Sequence, residues 1–266
     1  MLPKRDYLDM SWQDFADTSR WIAVLPVAAV EQHGPHLPLG VDTFIAEAYL
    51  AEALRLLPDT VPATFLPVQR IGQSEEHLAF PGTLTLAADA AKRAWTDIAE
   101  SLARAGIRKL VIVSSHGGNT QVVDLIARDL RARLRMLVVA ASWHRFGYPD
   151  GLFDPAERKH GIHGGDIETS IMLAARPDLV RLEKAADFTP ATIAMEKEFR
   201  YLAAYRPTAI GWMSQDLNAS GAVGNATLAS AEKGKAAIAH GARAFVELLA
   251  EVDRFDLARL AKGPLE

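Results

Sequence analysis

Strand-length apolar runs alternate with amphipathic helical stretches through much of this chain, and that alternation restricts the fold more than any other feature. Trp21 to Val30 (WIAVLPVAAV) is a buried-strand pattern that ends in a polar loop. The stretch TFIAEAYLAEALRLL then has helical spacing, with Thr43 near a cap position and Leu50, Leu54 and Leu57 on one face. A second strand is expected at Ala63 to Val68. Residues 87 to 105 repeat the amphipathic pattern and stop at Gly106, the residue type expected just past a helix end. IRKLVIVSS at 107 to 115 is the clearest strand; QVVDLIARDLRARL and a further strand at Met136 to Ala141 follow. Such alternation predicts βαβ units, hence an α/β fold with a mostly parallel sheet covered on both faces. Sheets of that kind bind ligands outside the carboxyl ends of their strands. From Asp187 to Asn225 the pattern weakens into Gly, Pro, Thr and aromatic residues, a candidate lid or oligomer surface, and a closing helix runs from about Ser230 to Asp253.

The loops at those strand ends carry the chemistry. EQHGPHLPLGVD at 31 to 42 places Glu31, His33 and Asp42 among Gly and Pro residues that turn the backbone without a helix. SSHGGN puts His116 directly after a strand, beside two glycines that let backbone or ligand approach closely. HGIHGGDIETSIML leads from His163 into a helix carrying Glu168 in its first turn. Taken singly, each motif is also satisfied by a turn or a helix cap. Taken together, Glu31, His33, Asp42, His116 and Glu168 form a set of carboxylate and imidazole ligands suited to zinc, manganese or iron(II). The set accommodates one divalent metal with an open position, or two metals bridged by Asp42. Either generates a hydroxide nucleophile near neutral pH and polarises a carbonyl. His163 is the candidate for moving the proton to a leaving nitrogen, with Glu168 beside it.

Composition removes the competing chemistries. The chain has no cysteine, which excludes disulfides, thiolate metal sites and a Cys nucleophile. A formal net charge of -4 provides no basic field for nucleic acid, which leaves small molecules as the expected partners. At 266 residues the length suits one domain spanning 1–266. The charged N-terminus lacks a signal-like apolar core and no long uncharged apolar run occurs, so no membrane association and a cytoplasmic location are expected.

In these motifs the chain resembles the creatininase family, the creatinine amidohydrolase-like metal hydrolases. EQHGPHLPLGVD, FPGTLTL at 80 to 86, SSHGGN and HGGDIETS from residue 163 occur in the family's order and spacing, covering most of residues 20 to 180. The resemblance implies a three-layer α/β/α sandwich and a homo-oligomer, often a hexamer. It also implies metal-site roles for Glu31, His33, Asp42, His116 and Glu168, and a catalytic histidine at His163. Two departures bear on substrate. Creatininase proper has a glutamate in its two-metal centre where Gly118 stands here, and a tryptophan closing over the creatinine ring where Lys159 stands. Creatinine is therefore a poor candidate. The HGGN form is shared with relatives that hydrolyse formamides, a peptide, or an inositol-derived ring.

The expected reaction is metal-dependent hydrolysis of a C–N bond in an amide, formamide or cyclic amide. The alternatives are a ring or C–C bond hydrolase of a sugar-derived ketone, and a non-catalytic metabolite-binding homologue. Ser74, Glu76 and His77, in GQSEEHLAFPGT, are candidate substrate contacts. Trp143, with His144, ends a strand and is a candidate pocket wall; Trp212 and Asn218 are candidates in the Gly-rich section. His36 is a candidate to orient a ligand from behind. His240 reads as structural. No GxGxxG follows the first strand, which argues against a dinucleotide-binding protein.

Overall fold

In the computed structural model, which describes residues 2–205, 208–261 and 263, the expected strands form one four-stranded sheet. The strands are β1 (Ile22–Val27), β2 (Ala63–Phe65), β3 (Lys109–Ser114) and β4 (Leu137–Ser142), in the order β2-β1-β3-β4. All pairings are parallel, with Ile22 opposite Ala63 and Lys109, and Lys109 opposite Leu137. In that register Val27, Ser114 and Ser142 end together at one edge.

Alternation along the strands explains the layers. Ile22, Val24, Val111 and Val113 point into one core, while Ala23, Leu25, Val27, Leu110 and Ile112 point into another. The first core is closed by α1 (Val41–Leu56), α5 (Asp166–Ala175) and α8 (Ala231–Arg254). The second is closed by α2 (Ala88–Arg104) and α3 (Thr120–Leu134), through Trp95, Leu102, Ile126 and Leu130. A sheet buried on both faces needs apolar residues at every strand position, which is why these runs are continuous rather than alternating. The result is the expected three-layer α/β/α arrangement. Gly234 allows α8 to lie directly on α5, since a side chain there would overlap the Ser170 carbonyl. Lys109 Nζ donates to the Val252 and Asp253 carbonyls at 2.8 and 2.7 Å, holding the end of α8 against the sheet.

Boundaries shift for local reasons. β1 stops at Val27 rather than Val30 because the next carbonyl, that of Ala28, is taken by Asn119 Nδ2 at 3.0 Å. β2 is shorter than expected: Leu66 N still donates to Val24 O, but Pro67 has no N–H to continue the ladder. α1 begins at Val41, with Phe44 N donating to Gly40 O, so Thr43 lies inside the helix and Asp42 falls in its first turn. Gly106, at φ +88°, ends α2 as the sequence predicts.

Residues 155 to 225 hold short pieces: α4 (Pro155–His160), β5 (Asp187–Phe188), α6 (Ala191–Glu198), β6 (Leu202–Ala203), β7 (Thr208–Ala209), α7 (Ser214–Leu217) and β8 (Gly224–Asn225). β5 pairs with β8 and β6 with β7; residues 206 and 207 lie outside the described residues. Among the described residues no helix is long and apolar enough to cross a membrane.

The connection from β1 to β2 leads toward one side of the sheet, whereas β3 and β4 add on the other. The crevice between the carboxyl ends of β1 and β3 is thus the point where strand order reverses, the favoured ligand position in such sheets. Asn119 ties this crevice together: fully buried, it donates to Ala28 O and accepts from Gln73 N at 3.0 Å each. Asn119→Ala leaves both main-chain groups short of a partner, and we expect a loss of about 2 kcal/mol or more in unfolding free energy. A change within about 0.5 kcal/mol in denaturant titration contradicts that role.

Candidate metal centre

The five predicted ligands converge at this crevice. Glu31 and His33 arrive on the loop after β1, closed by a Glu31 N–H bond to Leu39 O at 2.9 Å. His116 follows β3, Asp42 opens α1, and Glu168 sits in the first turn of α5. His33 Nδ1–H donates to the Glu31 main-chain carbonyl at 3.1 Å, leaving Nε2 bare and aimed inward. That atom is 3.8 Å from Glu31 Oε1, 3.7 Å from Asp42 Oδ2 and 3.7 Å from Glu168 Oε2. His116 Nδ1 lies 3.2 Å from Glu31 Oε1 and 4.0 Å from Asp42 Oδ2. Its other nitrogen donates to Gln73 O at 2.9 Å, the outer contact that orients a ligating imidazole.

Ligand-atom spacing divides the cluster into groups able to hold a cation: Glu31, Asp42 and His116; His33, Asp42 and Glu168; and Glu31, His33 and His163. The first two share only Asp42. Glu31 Oε1, His33 Nε2 and Asp42 Oδ2 are buried without a hydrogen-bond partner. Orphaned acceptors facing one another cost free energy that a divalent cation recovers, so the donor set fits a metal of the nitrogen- and oxygen-binding kind.

Protonation in the metal-free protein follows the same logic. Burial, and then the neighbouring Glu31 carboxylate, push Asp42 well above the usual carboxylate range. Glu168 is raised by burial. Burial opposes ionisation of Glu31 too, but the His116, His77 and His163 imidazoles hold it well below its ordinary value. His116 is correspondingly raised: burial opposes its charge, and Glu31 and Glu76 outweigh burial. His33 is driven well below its usual value by burial and by His163. Binding a cation therefore displaces protons from this centre.

His163, the predicted proton carrier, is buried beside the cluster with Nδ1 3.6 Å from Glu31 Oε1. Its ring is stacked between those of His33 and His77, at 4.1 Å from each. The centre forms the floor of a cavity of roughly 1490 Å³, whose far wall includes Met195, Phe199, Tyr205 and Trp212. Glu76, His77 and His144 line it as well.

Two expectations need correction. Trp143 is not a pocket wall: it is 2% exposed, stacked on Tyr49 at 4.6 Å and packed on Phe245, because the end of β4 turns its side chain into the α1 and α8 core. Ser74 does not present its hydroxyl to the cavity; it is fully buried and donates to Glu31 Oε2, so it positions the carboxylate of a candidate ligand. Glu76 lines the cavity but also reaches behind His116, with Oε1 3.4 Å from Nε2. Gly118 makes room for it, since a side chain at 118 would collide with that carboxylate.

The remaining candidates sort by their partners. His36 bonds Thr169 Oγ1 at 2.9 Å and stacks on Phe188, and burial lowers it to about 4. Asn218 shapes a turn through Ser220, and His240 bonds the Phe146 carbonyl at 3.3 Å. Lys159 lines the cavity and pairs with Glu196. Sequence reasoning missed Gln32, a buried amide between two candidate ligands, because a lone Gln in a polar loop carries no periodic or motif signal. It also missed His160, which joins α4 to α6 through Thr192 and Glu196.

With this geometry established, comparison with known proteins gives a consistent answer. The family pattern described as Creatininase, creatinine amidohydrolase, matches residues 8–249. The creatinine amidohydrolase of Pseudomonas putida is 30% identical over 252 residues, covering 85% of this chain and 89% of that protein. A mycofactocin precursor peptide peptidase of Mycobacterium ulcerans (strain Agy99) is 32% identical over 253 residues, covering 92% and 88%. A solved mutant creatininase of Zn-Zn type superposes with a TM-score of 0.75 at 26% identity, covering 94% of this chain and 98% of that one. Shared motifs, shared fold and a pattern match over most of the length lead to one conclusion: the chain belongs to the creatininase family of metal-dependent amidohydrolases.

Proposed function

We propose that this protein hydrolyses the C–N bond of an amide in a substrate larger than creatinine, a short peptide or an amide of similar size, using two divalent ions. The observation that carries the reading is the pair of ligand groups sharing Asp42: Glu31 and His116 on one side, His33 and Glu168 on the other. Zinc, manganese and iron(II) all suit this set. A divalent ion bound here supplies Lewis acidity and lowers the pKa of a water to near neutrality.

The chain's own residues do the rest. Asp42 and Glu31 concentrate negative charge at the floor of the cavity. Ser74 fixes the Glu31 carboxylate, and Gln73 with Glu76 fixes the His116 ring. His163, with Nδ1 facing the cluster, takes the proton released on attack and returns it to the leaving nitrogen. Substrate size is supported by the cavity volume of roughly 1490 Å³, above the range of about 300–1,000 Å³ usual for small ligands. Tyr205 and Trp212 give its wall an apolar face for side chains. Exposed Tyr201 and Leu202 offer apolar surface of the kind a homo-oligomer would cover, the assembly, often a hexamer, that the family resemblance implies.

The test is a turnover panel on zinc- and manganese-loaded protein: peptide amides, formamides, creatinine and cyclic ketones. The reading predicts release of amine from peptide amides with kcat/KM at least about tenfold above creatinine, a difference worth about 1.4 kcal/mol. Preference for creatinine contradicts the substrate class. Cleavage of ketones alone, or no turnover at all, contradicts C–N hydrolysis.

A further inference from the structure

Gln32 sits between the ligands Glu31 and His33 and is 5% exposed. Its amide orientation is set by main-chain atoms that cannot change protonation state. Oε1 accepts the Gly34 N–H at 2.8 Å, and Nε2 donates to Gly221 O at 2.9 Å. Turning the amide over would oppose two carbonyl oxygens at Gly221 and two donors at Gly34. Gly221 has φ +84° and no room for a side chain beside the Gln32 amide, so the approach of its carbonyl depends on glycine.

One amide hydrogen remains, with two imidazole nitrogens in reach: His77 Nδ1 at 2.8 Å and His163 Nε2 at 3.2 Å. The second cannot accept it. His163 Nε2 lies 2.5 Å from the main-chain carbonyl of Gln32, which only accepts, so that nitrogen carries its own hydrogen. The amide hydrogen therefore goes to His77 Nδ1, which must be bare. In neutral His77 the ring proton is then on Nε2, 3.4 Å from Glu31 Oε1. In His163 the bare nitrogen is Nδ1, 3.6 Å from the same oxygen.

We infer that Gln32 is a positioning residue that assigns opposite roles to two stacked histidines: its side-chain amide makes His77 a hydrogen-bond donor into the site, and its main-chain carbonyl makes His163 an acceptor. This rests on the proposed reading of His163 as proton carrier and extends it. His77 then serves the centre as a donor beside Glu31 and not as a ligand.

The experiment is imidazole nitrogen NMR on histidine-labelled, zinc-loaded protein, assigned with His77→Gln and His163→Gln, with zinc content measured on the same samples. Both rings are expected to carry hydrogen on Nε2. In Gln32→Glu, where an acceptor replaces the donor, His77 is expected to gain hydrogen on Nδ1, and kcat to fall about 10- to 100-fold at unchanged zinc content. Gln32→Met, which adds no charge, is expected to leave His77 in a mixture of tautomers. A hydrogen on His77 Nδ1 in the parent protein, a zinc-bound His77, or an unaltered His77 spectrum in both variants overturns the inference. The tautomer readout requires no turnover, so failure of amide hydrolysis with the expected spectra sinks the functional reading alone.

Discussion

Asp42→Asn is expected to abolish metal retention and turnover together while making the metal-free protein more stable. Asp42 is the only member common to both of the paired ligand groups, so its loss removes one oxygen donor from each. Without a cation the water pKa returns from about 7 toward 15.7, and a fall in kcat/KM of more than about 1000-fold is a conservative expectation. The stability change runs the other way because Asp42 is buried with an unpartnered oxygen beside Glu31 and Glu168, with burial first and Glu31 second raising its pKa. An acid whose folded pKa lies above its unfolded value destabilises the fold as pH rises from about 3.9, where the unfolded group ionises, up to the raised value. The gain from Asn is therefore absent below about pH 4 and grows as pH rises toward the raised folded value, on the order of 1–3 kcal/mol. Metal-induced stabilisation disappears in the same variant. Thermal unfolding with and without zinc at pH 4 and pH 7.5 measures all three effects; a destabilised metal-free variant at neutral pH contradicts the account.

His163→Gln separates proton transfer from metal binding. The ring is the one buried imidazole beside the cluster whose bare nitrogen faces Glu31 while its other nitrogen is occupied by the Gln32 carbonyl. Removing a positioned acid–base group costs about 10²- to 10⁴-fold, and we expect that loss in kcat with KM changed only slightly. Metal content is expected to stay at the parent level, because both ligand groups sharing Asp42 remain intact. Loss of one metal equivalent in His163→Gln would instead assign His163 as a ligand, in the group it forms with Glu31 and His33.

Much of this was legible in the sequence because both strand and ligand signals are local. A strand buried on both faces, such as Ile22–Val27, has to be apolar throughout, and the residues that leave the sheet at its carboxyl edge have to be the polar ones. Glu31 and His116 are therefore found by looking just past each run. The failures are non-local. Whether Trp143 faces the cavity or the core depends on which way the turn just after β4 delivers it, and Tyr49 and Phe245, far away in sequence, decide that. Ser74 has the composition of a substrate contact, and its role is set by one bond to Glu31. Gln32 is invisible for the same reason: its partners Gly221, His77 and His163 are brought together only by the finished fold.

The claim under everything else is that five side chains from separate loops enclose divalent cations on either side of Asp42. Anomalous diffraction from zinc-loaded crystals, recorded above and below the zinc absorption edge, tests it directly. Two peaks are expected, one among Glu31, Asp42 and His116 and the other among His33, Asp42 and Glu168, each about 2 Å from its ligand atoms. Absence of both peaks from protein shown to carry zinc in solution, or zinc held at other residues, contradicts it.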